Sequence, residues 1–161
     1  MIKIKDFYSQ SEEFRSSYNC GGFVLGTMTW FLFECFSNCD FIGKSEREIY
    51  KKMGKMTYKC ALELLEKYPK QLRLIHNECE KKSFEEVFYF RLSEDGDFHF
   101  VVKNGNTYYH KKGGNVEVSK MTKKELFNIW EGGYNGPILM FAKTKKSLRD
   151  KEGEYYRDLR F

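Results

Sequence analysis

Residues 86–112 read EVFYFRLSEDGDFHFVVKNGNTYYHKK. Three runs rich in aromatic and β-branched residues, EVFYFRL, FHFVVK and TYYHKK, are separated by turn chemistry at Glu94–Asp97 and Asn104–Asn106. Runs of that composition are strands, and Asp-Gly and Asn-Gly between them are hairpin turns. A fourth run, VEVSK at 116–120, follows the turn Gly113-Gly114. The reading is an antiparallel meander.

Working outward, residues 72–75 (LRLI) make a short strand and residues 137–142 (PILMFA) a buried one. Ahead of the meander the period changes. Residues 20–36, CGGFVLGTMTWFLFECF, carry apolar residues on every side of a helical wheel, which predicts a buried central helix. Ser45 with Glu48 predicts a capped helix running to about Lys52. Gly54 then interrupts, and Thr57 caps a further helix over residues 57–68 that ends at Pro69. That helix places Cys60, Ala61, Leu64 and Leu65 on one face. Thr122 caps another helix over 123–130, ended by Gly132-Gly133. Residues 1–19 are a polar, irregular segment, and 145–161 form a charged tail. Helices first and antiparallel strands second define an α+β class. A chain of 161 residues makes a single domain, 1–161.

Composition narrows the function. The chain is 41% hydrophobic and 32% charged, as a globular protein is, and its 17% aromatics predict a core of large flat rings. A net charge of +5 is modest, and the Lys clusters are short (51–52, 111–112, 123–124, 143–146), so nucleic acid is not the expected partner. The five cysteines are odd in number and irregular in spacing, with no CxxC pair. That pattern predicts free thiols in a reducing, cytoplasmic setting, with no metal and no cofactor. The N-terminus lacks the apolar run of a signal peptide. The most apolar stretch, Phe23–Phe36, holds Thr27, Thr29 and Glu34 and is too short to span a bilayer, so no membrane association is expected.

Three side chains could carry chemistry together. Cys20 opens the predicted buried helix, where free N–H groups and the helix dipole would lower a thiol pKa and could hold an oxyanion. Gly21 and Gly22 leave room there for a substrate, or for another stretch of backbone. His99 opens a strand, with Val101 and Lys103 on its face. A turn centred on Asn104 and Gly105 would set His110 opposite, or nearly opposite, His99. One imidazole could then act as base while the second orients it. A Cys followed by two His in this order makes a generalised nucleophile–base–orienter set.

The order and spacing of Cys20, His99 and His110 resemble the NlpC/P60-like branch of the papain-like cysteine peptidases and amidases. Residues 19–26, NCGGFVLG, are similar to an NCYGYAL-type motif. Residues 97–113, through DFHFVV and TYYHKKG, are similar to a DYHFYR…W-x-HKPG motif, with Tyr108 in place of Trp and Lys112 in place of Pro. The two matches cover roughly 30 residues. The resemblance implies a papain-like fold, with an N-terminal buried helix carrying the Cys packed on a C-terminal antiparallel sheet. It implies a thiol hydrolase that cleaves an amide or peptide bond of a peptide or protein substrate. In that reading His99 takes the Cys20 proton, His110 fixes the ring, and the Cys20 backbone N–H holds the oxyanion, with Asn19, Tyr18 or Gln10 as a second donor. Transfer to an amine in place of water gives a deamidase or transglutaminase. The setting implied is cytoplasmic, or delivery into a host cell, or release by lysis.

Two other classes compete. A non-catalytic binding or inhibitor protein on the same scaffold, of phage or toxin-related type, predicts that Cys20 is dispensable and a protein partner is bound. A nucleic-acid or anionic-ligand binder predicts that Tyr108, Tyr109, Lys111 and Lys112 stack on bases and meet phosphates. Specificity is expected in the loops 37–43, 78–83 and 132–136.

Overall fold

A computed structural model of the chain describes residues 16–27, 29–35, 41, 45–112, 118–128 and 130–145. Gln10, Cys39, the Gly113-Gly114 turn, most of the 37–43 loop and nearly all of both terminal segments lie outside the described residues.

The elements are α1 (Cys20–Leu25), α2 (Glu46–Lys67), β1 (Leu72–Ile75), a single 3-10 turn (Glu78–Glu80), β2 (Glu85–Leu92), β3 (Phe98–Asn104), β4 (Thr107–Lys111), β5 (Val118–Met121), α3 (Lys123–Leu126) and β6 (Leu139–Thr144). The strands form one antiparallel sheet in the order β1-β6-β2-β3-β4-β5. The meander β2–β5 is as the sequence predicts, and β6 returns to fill the place between β1 and β2. Helices and antiparallel strands are thus segregated in the α+β manner. No described helix is long and apolar enough to cross a membrane.

The predicted helix over 20–36 is corrected to the six residues of α1. Asn19 caps it, its side chain accepting from the Gly22 N–H, and Gly26 ends it at φ 75°, in the left-handed region that glycine adopts without strain. The chain then doubles back, and Phe31 and Phe33 are buried without being helical. An all-round apolar wheel reports burial, and here two crossing passes of chain supply it.

The two helices expected around Gly54 are one, α2, of 22 residues. Met53, Thr57, Cys60, Ala61 and Leu64 are its buried residues, a stripe continuous across the break expected at Gly54. Thr57 does not cap; its hydroxyl donates back to the Met53 carbonyl at 2.7 Å. The helix expected over 123–130 is shortened to α3, which carries a capping box between Thr122 and Glu125. The run expected at 116–120 pairs over Val118–Met121, and that at 137–142 over Leu139–Thr144.

The sheet separates two cores. On the α1–α2 side, Phe88, Phe90, Phe98, Phe100, Val102 and Phe141 meet Phe23, Phe31, Phe33 and Leu64. Phe31 and Phe33 pack edge-on against Phe98 at 6.0 and 5.1 Å between ring centres. On the other side, Tyr89, Val101, Tyr108, Leu126 and Trp130 form a smaller cluster. Alternation along β3 therefore puts His99 on the face of Tyr89 and Trp130, away from α1.

Candidate active site

The β3–β4 ladder pairs Asn104 with Thr107 and Val102 with Tyr109. The turn is centred on Gly105 and Asn106, one residue later than the expected centre, and Gly105 takes it at φ 61°. His110 therefore faces Val101 rather than His99, and the two imidazoles are diagonal neighbours on one face. Both are buried, and His99 Nε2 lies 2.8 Å from His110 Nδ1. His99 is stacked on Tyr134 at 5.0 Å and meets the edge of Trp130 at 5.8 Å. Tyr134 donates its hydroxyl to Asp97 Oδ2 at 2.7 Å, so this ring closes over His99 from a fixed anchor.

The ladder ends at Val102–Tyr109, short of His99. Cys20 meets the β3 backbone from the α1 side. Its thiol donates to the Phe98 carbonyl at 3.8 Å, and the Phe100 N–H faces the sulfur. Cys20 and His99 line one cleft of about 170 Å³, together with Asn19, Trp30, Leu32, Asp97, Phe98 and Tyr134. No hydrogen bond joins the Cys20 sulfur to His99 in this arrangement; the thiol proton points to Phe98. An adjoining cleft of about 220 Å³ joins His99 to His110, Lys112, Glu131 and Tyr134.

Electrostatics set the resting state. Burial pushes the Cys20 thiol up to about 12, against the N–H groups of Phe100 and Gly21 that favour the thiolate. The expected lowering by the helix start is overturned because a six-residue helix with a nearly fully buried first residue loses more to desolvation than its dipole returns. Burial, then the charges of His110 and Lys112, hold His99 down to about 3. His110 is lowered as well, by burial first. The resting set is therefore a neutral thiol and two neutral imidazoles.

The remaining predicted residues take other work. Asn19 accepts from the N–H groups of Gly22 and Phe31 and donates to the Phe31 carbonyl at 2.6 Å, so its side chain clamps the returning chain. Tyr18 is fully buried, and its carbonyl accepts from Lys111 Nζ at 2.6 Å. The space at Gly21 and Gly22 is filled by the chain itself: an added Cβ would lie 2.8 Å from the Phe31 ring and 1.8 Å from the Thr29 carbonyl oxygen.

Trp130, Trp30 and Leu32 escaped the sequence reading. Tyr134 lies in the 132–136 loop where specificity is expected, and it lines both clefts of His99. Trp130 sits just ahead of that loop. The 78–83 loop does not reach the site. Its Glu78 binds Tyr89, Tyr108 and Lys103, at the far end of β3. Lys111, expected as a contact for an anionic ligand, is instead fully buried, 4.9 Å over the Tyr18 ring. Trp30 and Leu32 were hidden inside the expected helix. Tyr108 and Lys111 are buried, so β4 does not present the alternating aromatic and basic surface that nucleic-acid stacking requires. Among the described residues no group of three or more His, Cys, Asp or Glu could hold a metal ion.

No family model, no curated protein and no solved structure matches the chain.

Proposed function

We propose that this protein is a papain-like thiol hydrolase that cleaves an amide or peptide bond with Cys20 as nucleophile, His99 as base and His110 as orienting residue. The observation that carries the reading is the shared cleft of Cys20 and His99, with His99 Nε2 bound to His110 at 2.8 Å. That bond leaves Nδ1 of His99 as the nitrogen for the thiol. His99 must then carry its proton on Nε2 and donate it to His110 Nδ1.

The chemistry follows from those positions. With substrate in the cleft, the thiol turns from the Phe98 carbonyl and gives its proton to His99 Nδ1 as the sulfur attacks the carbonyl carbon. The oxyanion meets the Cys20 backbone N–H, which has no intrahelical partner at the first helical position. His99 returns the proton to the leaving amine, and a thioester remains. Water, deprotonated by His99, attacks the thioester and releases an acid and the free thiol. Because both resting groups are neutral, the ion pair forms only during attack, after the substrate has displaced water.

The test is cleavage of a proteome-derived peptide library, with new ends sequenced by mass spectrometry. Cleavage by the wild type that is absent from Cys20→Ala and His99→Ala supports the reading. Absence of cleavage, with Cys20 no more reactive toward a peptidyl chloromethyl ketone than exposed Cys79, overturns it.

A second reading is a non-catalytic binding protein on the same scaffold. It is favoured by the held, protonated state of Cys20 and its bond to Phe98. In that case Cys20→Ala binds its protein partner as the wild type does.

A further inference from the structure

After α1 the chain crosses back over Gly22 and runs outward past the cleft. Along it burial alternates: Phe31 and Phe33 point inward at 6% and 5% exposure, Trp30 and Leu32 outward at 51% and 66%. That alternation is the pattern of an extended strand, yet residues 29–33 belong to no sheet. The N–H and C=O of Phe31 are both taken by the Asn19 side chain. In an extended chain the backbone groups of neighbouring residues point to the opposite side. Those of Trp30 and Leu32 have no partner among the described residues, and a bare, apolar extended edge of this kind is a template for another strand.

The edge is continuous with two cavities. Trp30 and Leu32 line the cleft of Cys20 and His99. Leu32, with Phe31, also lines a groove of about 290 Å³ bounded by Glu34, Glu63, Leu64, Glu66 and Lys67. The groove has an apolar floor and a rim of three carboxylates against one ammonium. Glu63 is engaged by the N–H groups of Glu34 and Cys35, while Glu34 and Glu66 are exposed. Lys67 Nζ lies 5.6 Å over the Phe31 ring, so the one ammonium of the rim is drawn toward the floor. A lysine or arginine side chain fits this shape, its methylene stem on Leu32 and its charge at the rim.

We propose that Trp30–Leu32 is a peptide-binding edge: an extended peptide adds to it as a strand, leads its scissile bond to Cys20, and seats a basic side chain in the groove beside Glu34 and Glu66. The assignment deepens the thiol-hydrolase reading and rests on it for the scissile bond alone.

Binding to Cys20→Ala separates the two. The probes are fluorescein-labelled octapeptides of alternating alanine and valine with one central Lys, Arg or Glu, read by anisotropy. Quenching of Trp30 serves as the second readout, since Trp130 is buried. The Lys and Arg peptides should bind at least five-fold tighter than the Glu peptide. Glu34→Lys combined with Glu66→Lys should reverse that order, and N-methylation of the central peptide amides should abolish binding. Equal affinity of the Lys and Glu peptides, or indifference to N-methylation, overturns the edge even if the wild type cleaves a library. Charge-selective, N-methyl-sensitive binding without any cleavage establishes the edge and removes the hydrolase reading instead.

Discussion

His110 Nδ1 sits 2.8 Å from His99 Nε2 across a diagonal of the β3–β4 hairpin, with both rings buried. Removing one ring leaves the other with a nitrogen that has lost its partner, which costs about 1–3 kcal/mol. His110→Ala should therefore lower stability by about that amount in urea denaturation. It should also slow modification of Cys20 by a peptidyl chloromethyl ketone, because His99 loses its orientation. His110→Asn can restore an acceptor toward His99 and should recover part of the rate. Equal rates in all three proteins would show that His110 is packing alone.

The two histidines also make stability depend on pH. Each has a folded pKa below its ordinary value of 6.5, His99 reaching about 3. Below pH 6.5 the unfolded chain takes up protons that the folded chain refuses. Stability therefore falls as pH falls through that window, by about 1.4 kcal/mol per pH unit for each histidine well inside it. Above pH 7 neither contributes. The urea midpoint should drop between pH 7 and pH 5, and His99→Gln should flatten the drop.

Two glycines bracket what close packing demands. A Cβ on Gly22 would lie 1.8 Å from the Thr29 carbonyl oxygen, whereas one on Gly54 would meet only the Pro137 ring, at 3.9 Å. Gly22→Ala should cost about 3 kcal/mol or more, since backbone has to move. Gly54→Ala, in the interior of α2, should stabilise by about 1 kcal/mol. Thermal melts of the two variants should move in opposite directions.

The meander and the Cys–His–His order were legible because strands and tight turns are local. Turn chemistry at Asp95-Gly96 and Asn104-Gly105 places β2, β3 and β4 without reference to the rest of the chain. The one-residue displacement of the second turn was not legible, since Asn104, Gly105 and Asn106 all suit a turn. Parity survived it, so His99 and His110 kept a common face. What failed depended on distant contacts. Residues 20–36 are apolar on all sides whether they form one helix or a helix and a returning extended segment. The choice is made by Gly26 and by Asn19 gripping Phe31, twelve residues away. Asn19 is one of three candidate oxyanion donors by its place near Cys20, and its actual partners are visible only once the chain has turned back. The thiol pKa failed for a similar reason: helix position is local, and burial is not.

Lys111 supplies the last test, because it is a buried ammonium beside a thiol that burial holds protonated. Its Nζ lies 2.6 Å from the Tyr18 carbonyl and 4.9 Å over the Tyr18 ring. Burial holds it down to about 8, and its charge acts to lower the pKa of Cys20. At pH 7 it is mostly charged, so it reduces the cost of forming the thiolate during attack. Lys111→Met keeps most of the volume and removes the charge. Losing the bond to Tyr18 and losing a buried charge act in opposite directions on folding, so the stability change should stay within about 1 kcal/mol. Modification of Cys20 at pH 7 should nevertheless slow about ten-fold, the effect of roughly one unit in thiol pKa. Lys111→Arg should keep the rate if the larger head is seated. A Lys111→Met protein that unfolds readily while Cys20 reacts at the wild-type rate would make Lys111 a brace for Tyr18 and nothing more.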